Sequence, residues 1–99
     1  MNQTICNAIK NLTCLQVVYG GYTRLVEPHT YGISSKDNES VRVWQVSGGS
    51  ESGEYTGWKI MTVDKIERMV ATDIPSEAPR PDYKMGDPFM AHIICEIQL

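Results

Sequence analysis

The chain has few cysteines, and their spacing is uninformative. Its 99 residues include three of them, Cys6, Cys14 and Cys95, and no two lie at a C-x-x-C spacing. An odd, widely spaced set argues against a disulfide scaffold or a zinc knuckle. We therefore expect the chain to fold without a metal, a cofactor or a crosslink.

Segments that would direct the chain to a membrane are also lacking. The first residues, from Met1 to Cys6, have neither the basic start nor the long apolar core of a signal peptide, and no apolar run approaches the length of a membrane span. The net charge of −3 gives no general attraction to polyanions, although a local basic patch remains allowed. The cytoplasm is the expected compartment, without a membrane partner.

The sequence contains no catalytic motif. His92 and Cys95 differ by three positions in a predicted strand, so their side chains point to opposite faces and cannot form an activated thiolate. The glycine-rich segment 47–57 is not followed by the Gly-Lys-Ser/Thr of a phosphate-binding loop. We expect a non-enzyme that forms one domain over residues 1–99.

The N-terminal third combines a helical pattern with a hairpin pattern. Apolar residues recur at helical spacing from Ile5 to Leu12, and Asn2 is placed to cap the N-terminus of this helix. Alternating apolar residues then predict a strand that ends at Tyr19, and Gly20-Gly21 predicts a two-residue primed turn. The second strand, 22–27, is expected to end at a bend at Pro28, after which residues 29–34 resume an extended course.

Three further strands and a short helix are predicted beyond the hairpin. The strands are 41–46, with Arg42 and Trp44 on one face, then 58–62 and finally 89–99, and a helix of one or two turns is predicted within 63–70. Residues 73–88 form a proline-rich connector. The last strand either closes onto its own chain or exchanges with a second subunit. The fold class is mainly β with a short N-terminal helix, as a small antiparallel barrel or a strongly curved sheet.

Four short segments, in this order, resemble the WYL domain of bacterial regulators over about residues 1–70. They are Val17-Val18-Tyr19, Arg24-Leu25-Val26-Glu27-Pro28-His29, Val41-Arg42-Val43-Trp44-Gln45-Val46 and Met61-Thr62-Val63-Asp64-Lys65-Ile66. The resemblance implies an SH3-like, Sm-type barrel with a basic and aromatic surface that binds nucleic acid or nucleotide-like effectors. The chain departs from the family in three ways: Val43-Trp44-Gln45 replaces Trp-Tyr-Leu, Thr62 and Lys65 replace arginines, and no helix-turn-helix module is present.

With this resemblance, five residues are candidates for a ligand site. Arg24 would clamp an anion, His29 and Lys65 would be auxiliary donors, and Tyr19 and Trp44 would stack on a base. Each has a structural alternative, since an isolated strand arginine commonly pairs with a carboxylate and aromatic residues commonly pack in a core.

The expected function is that of a non-catalytic, stand-alone WYL-like module. It would sense or sequester a nucleotide-type ligand or a short single-stranded nucleic acid, in a regulatory or phage-defence context, and would form a homodimer. The alternative is a structural subunit that pairs with another protein through its barrel edge or its C-terminal strand.

Overall fold

The structure is a computed structural model that describes residues 2–99, and it opens with the predicted helix. Helix α1 spans Gln3–Asn11, the side chain of Asn2 accepts a hydrogen bond from the Ile5 amide at 3.1 Å, and Leu12 takes the left-handed conformation (φ 55°) that ends the helix. The buried face consists of Ile5, Cys6, Ala8 and Ile9. The N-cap and the apolar spacing both act as the sequence predicts.

Six strands form one antiparallel sheet, which confirms the mainly β class with a short N-terminal helix. The strands are β1 (Thr13–Tyr19), β2 (Tyr22–Ser34), β3 (Glu39–Gly48), β4 (Gly57–Thr62), β5 (Ile66–Pro75) and β6 (Met90–Glu96). Their order is β4-β3-β2-β1-β5, and β6 pairs with β2. Strands β4 and β5 end this path without pairing with each other, so the sheet is open and does not close into a barrel.

The hairpin has the predicted turn, since Gly20 (φ 60°) and Gly21 (φ 80°) both take positive φ. Strand β2, in contrast, does not end at Pro28 but runs for 13 residues. A register shift between Pro28 and Thr30 against β3 accommodates the missing N–H. Because β1 and β6 share one edge of β2 and β3 takes the other, pairing on both sides keeps the strand extended.

The helix predicted within 63–70 is wrong. Only a 3-10 turn, Val63–Lys65, is present, and the chain then continues directly as β5. Strand β5 pairs with the free edge of β1, where Val17 lies opposite Met69. The spacing of a few apolar residues suited a short helix, but an unpaired strand edge nearby offered more hydrogen bonds than one or two helical turns.

The expectation of a chain without crosslinks is also wrong, because Cys6 and Cys95 form a disulfide. The bond ties α1 to β6 across a sequence separation of 89 residues. Cys14 keeps a free thiol and is buried. An odd count and wide spacing say nothing about distance in space, and the two partners meet only because β6 returns to the centre of the sheet.

The final strand pairs with β2 of its own chain, with Tyr31 opposite Cys95 and Gly32 opposite Ile93. The backbones are close at this crossing, since a Cβ added to Gly32 would collide with the carbonyl oxygen of His92 and lie 3.0 Å from Cα of Ile93. No helix in residues 2–99 has the length and apolar character to span a membrane.

Both faces of the sheet are covered at β2. Val26 belongs to the core cluster on the α1 side, which also contains Ile5, Leu15, Val17, Tyr31, Val41, Val43, Met61 and Ile97. Its neighbour Glu27 points to the opposite face because side chains alternate along a strand. That face is covered by residues 76–88, which we call the strap, the part of the proline-rich connector that β5 does not include.

Candidate functional site

Arg24 and Tyr19 lie together in the hairpin, where the arginine holds the turn. Only 5% of Arg24 is exposed. Its Nε and Nη2 donate to the backbone carbonyl of Tyr19 at 3.2 and 2.8 Å, and its Nη1 donates to Oε1 of Gln45 at 3.2 Å. The guanidinium also lies over the Tyr19 ring, at 5.3 Å from the centroid. These contacts give Arg24 a structural role in the turn, and its role as an anion clamp stays a prediction.

The structure does not gather the five predicted site residues into one place. Lys65 is exposed in the 3-10 turn, and the Tyr19 hydroxyl accepts a hydrogen bond from the Thr62 amide. His29 and Trp44 belong instead to a cluster under the strap, where both rings contact Trp58, at centroid distances of 4.6 and 5.4 Å. No hydrogen bond or ring contact among residues 2–99 joins this cluster to the hairpin pair Tyr19 and Arg24.

A buried ion pair fastens the strap to β2. Glu27 is 1% exposed, and Nε of Arg80 donates to its Oε1 at 2.7 Å, with Nη2 at 3.3 Å from Oε2. The Glu77 amide also donates to Oε2 at 2.7 Å. The Arg80 guanidinium lies 5.2 Å from the Trp44 ring centroid. A carboxylate so deeply buried is stable only with such partners. The charge of Glu27 therefore depends on hydrogen bonds from the strap, and the strap depends on that charge for its attachment to β2.

His29 is completely buried beside this pair. Its Nδ1 lies 2.8 Å from the backbone carbonyl of Glu27, and its Nε2 lies 3.1 Å from the Arg80 amide. A carbonyl accepts and an amide donates, so Nδ1 carries the proton and Nε2 accepts. Burial, opposed by the carbonyl and charge of Glu27 and aided by the charge of Arg80, lowers the pKa of His29 from its ordinary value of 6.5.

A cavity of about 300 Å³ opens where the strap meets the outer face of β3 and β4. It is lined by Arg42, Trp58, Asp82, Tyr83, Lys84, Asp87 and Pro88. This volume is at the lower end of the range for small-molecule sites. Two aromatic rings and two cationic side chains meet here, the combination that the sequence predicts at other positions.

Asp87 orients the arginine of this cavity. Nε and Nη2 of Arg42 donate to the two oxygens of Asp87 at 2.8 and 3.3 Å. Burial raises the pKa of Asp87, but the hydrogen bonds from Arg42 and from the Phe89 amide, with the charge of Arg42, outweigh it and leave that pKa below its ordinary value. A guanidinium has five N–H donors, so this pair leaves donors of Arg42 for a ligand.

A second groove, of about 710 Å³, lies between α1, residues 78–79 and β6. It contains the Cys6–Cys95 disulfide, and aliphatic and amide side chains make up most of its lining, with Lys10 and Glu96 as the charged residues. It holds no aromatic side chain. The cavity beside the strap is therefore the better candidate for a ligand with a ring and a negative charge.

The site predicted from the sequence has the residue types of this cavity but shares no residue with it. Arg42 and Trp44 were expected to be neighbours on one face of a strand, and both are partly exposed on β3, between buried Val41, Val43 and Gln45. That alternation was the available signal for Arg42. Nothing in the sequence places Tyr83 and Lys84 against β3, because their positions depend on how the strap crosses the sheet.

Comparison with known proteins found no match to a protein-family model, to a curated protein or to a solved structure.

Proposed function

We propose that the protein is a non-catalytic binding module that takes a nucleotide-type ligand in the cavity between the strap and β3–β4. The observation that carries the proposal is the placement of Arg42 and Lys84 beside the rings of Trp58 and Tyr83 around one cavity. A base stacks on an aromatic ring, and a phosphate accepts charge-assisted hydrogen bonds from a guanidinium or an ammonium.

The charges of the lining favour a ligand with a single phosphate. Arg42 and Lys84 are offset by Asp82 and Asp87, so the cavity lacks the excess of positive charge that a polyphosphate or a long single strand needs. The Asp87 carboxylate holds Arg42 in place and so reduces the entropy that the arginine loses on binding. A nucleoside monophosphate or a cyclic mononucleotide fits this balance better than a nucleoside triphosphate or an oligonucleotide.

The test is a calorimetric titration with AMP, GMP, cyclic AMP, ATP, adenosine and a short oligothymidylate. We expect the monophosphates to bind most tightly and adenosine to bind more weakly. Lys84→Gln should weaken AMP binding by about tenfold or more, since a hydrogen bond to a charged group contributes about 1.5–3 kcal/mol, and should leave adenosine binding unchanged. Lys84 is exposed, so this variant should fold normally.

Lys65→Gln is the matched control, because Lys65 is also exposed and was the lysine predicted from the sequence. It should bind AMP as the wild type does. A larger loss in Lys65→Gln than in Lys84→Gln would move the site to the surface predicted from the sequence. If none of the nucleotides binds the folded protein, the proposal is refuted.

A second candidate, a protein-interaction subunit, is favoured by the outer edge of β5. This strand pairs only with β1 within residues 2–99, and Val70 and Ile74 are 41% and 47% exposed on it. An unpaired edge is a template for another strand, and the occupant that we propose is β5 of a second copy, which would give the predicted homodimer. Light scattering should then show a dimer that Val70→Lys converts to a monomer. A wild-type monomer at all concentrations excludes the pairing of β5 with a second copy.

Membership of the WYL family, a sensing or sequestering role and a regulatory or phage-defence context remain proposals, and they rest on the resemblance of four segments. The cytoplasm also remains a proposal. The Cys6–Cys95 disulfide weighs against it, because reducing compartments keep thiols reduced. A count of free thiols in protein taken directly from the native cell would decide between an oxidising and a reducing location.

A further inference from the structure

His29 occupies one of the points at which the strap is fastened to the sheet, beside the Glu27–Arg80 ion pair. Its Nε2 accepts the Arg80 amide at 3.1 Å, and the residues that follow Arg80 supply Asp82, Tyr83 and Lys84 to the cavity. The imidazole also contacts the rings of Trp58 and Tyr83, at centroid distances of 4.6 and 5.3 Å. One titratable ring thus lies under the cavity and holds the segment that forms its wall.

Only the neutral ring can make both hydrogen bonds. Nδ1 donates to the carbonyl of Glu27, and Nε2 must remain unprotonated to accept from Arg80. A second proton would make Nε2 a donor that faces the N–H donor of Arg80. Because His29 is 0% exposed, no water can separate the two donors unless the strap moves away.

Charged and titratable groups surround His29 on several elements. Glu27 on β2 favours the imidazolium, whereas Arg80 on the strap disfavours it. Tyr83 on the strap contacts the imidazole ring, and Glu77 forms a hydrogen bond with Arg80. On β1, burial raises the pKa of the Cys14 thiol, the charge of Glu27 raises it further, and the charge of Arg80 lowers it. Glu27 already accepts hydrogen bonds from Arg80. The strap must therefore loosen before the Glu27 carboxylate can compensate the charge of a protonated His29.

We propose that His29 is a proton-controlled latch, in which protonation of Nε2 releases the Arg80 amide and moves the strap residues 82–84 away from the cavity. Acidification would then open the cavity wall and weaken ligand binding. The effect on binding rests on the function proposed above, whereas the release of the strap does not.

The direction and the steepness of the pH dependence of strap opening follow from the linkage between opening and protonation of His29. Burial lowers the pKa of His29 in the closed state from its ordinary value of 6.5, and a released strap restores that ordinary value. The closed state is therefore fully favoured above about pH 6.5 and loses stability as the pH falls toward the lower value. In that interval the opening equilibrium rises about tenfold for each pH unit.

The experiment is amide hydrogen exchange of the full chain, read by NMR and corrected for intrinsic exchange at each pH. We expect protection of the Arg80 amide to fall about tenfold per pH unit below pH 6.5, while amides of the β1–β2 hairpin keep their protection. His29→Gln offers an oxygen acceptor near the Nε2 position that does not titrate, so its Arg80 protection should be independent of pH. His92→Gln, at the exposed second histidine, should behave as the wild type.

The wild type alone provides a second readout if His29→Gln fails to fold. The carbon resonances of the His29 ring should titrate below pH 6.5 and follow the loss of Arg80 protection. Unchanged Arg80 protection between pH 7 and pH 5, an equal fall in His29→Gln, or titration of His29 at or above 6.5 would each overturn the latch. Absence of AMP binding at every pH, with the Arg80 response intact, would refute the nucleotide site and leave the latch standing.

Discussion

Removal of the Cys6–Cys95 disulfide should cost this protein a large part of its stability. The crosslink closes a loop that spans a sequence separation of 89 residues. In the chain-entropy model, a crosslink that closes a loop of that length raises the free energy of the unfolded chain by about 4.6 kcal/mol at 25 °C. Removal of a native disulfide typically lowers the free energy of unfolding by about 2–5 kcal/mol. A domain of this size has a total stability of about 5–15 kcal/mol.

The assay is thermal unfolding of the oxidised wild type, the reduced wild type, Cys6→Ala, Cys95→Ala and the double variant. The melting temperature should fall by at least about 10 °C in each altered form. The single and double variants should agree closely, because losing either partner removes the whole crosslink. Cys14→Ala is the control, since that buried thiol is free and its removal should leave the response to reductant intact.

Thiol titration in denaturant gives an independent measurement. The oxidised protein should show one reactive thiol, that of Cys14, and the reduced protein should show three. Three reactive thiols in oxidised protein, or a melting temperature that reductant leaves unchanged, would refute the reasoning. The β6 strand would then be held by backbone pairing alone.

Three further changes test the packing of the chain. Arg24→Ala should lower the free energy of unfolding by about 2–4 kcal/mol, measured in urea, because it removes the guanidinium donors from the half-buried carbonyl of Tyr19 and from the buried Oε1 of Gln45; a loss below about 0.5 kcal/mol would contradict the structural role. Gly32→Ala should cost about 1–3 kcal/mol and strip exchange protection from β6, since its Cβ would press on the β6 backbone; intact β6 protection would show that the contact gives way easily. Because the pKa of Asp87 is lowered from 3.8, its contribution is present above pH 3.8 and is lost as the pH falls below it. The wild type should therefore lose more stability than Asp87→Asn between pH 7 and pH 3, and equal losses would contradict this pairing.

Local patterns predicted the elements whose hydrogen bonds are local. The cap at Asn2, the apolar spacing from Ile5 onward and the positive φ of Gly20 and Gly21 all depend on residues a few positions apart. The alternation in β3 likewise follows from one strand with a buried and a partly exposed face. These features needed no knowledge of which strand lies beside which.

Predictions failed where a distant segment decided the outcome. The region 66–75 became a strand because the edge of β1 was available to it, and Pro28 was tolerated because β3 accommodated a shift in register. The five predicted site residues lie in separate places for the same reason. Arg24 curls back onto the carbonyl of Tyr19, and the cavity takes its wall from a strap that is far away in sequence.

By itself, the amino-acid sequence determined a small, mainly β chain with a capped helix and a glycine hairpin, because backbone dihedrals and side-chain alternation act over a few residues. The tertiary structure alone decided that Cys6 meets Cys95, that the sheet stays open and that Arg42 and Trp58 share a cavity with Lys84. Each of these depends on bringing together segments separated by tens of residues. Periodicity carries no information about such meetings, which are set by packing and by the pairing of free strand edges.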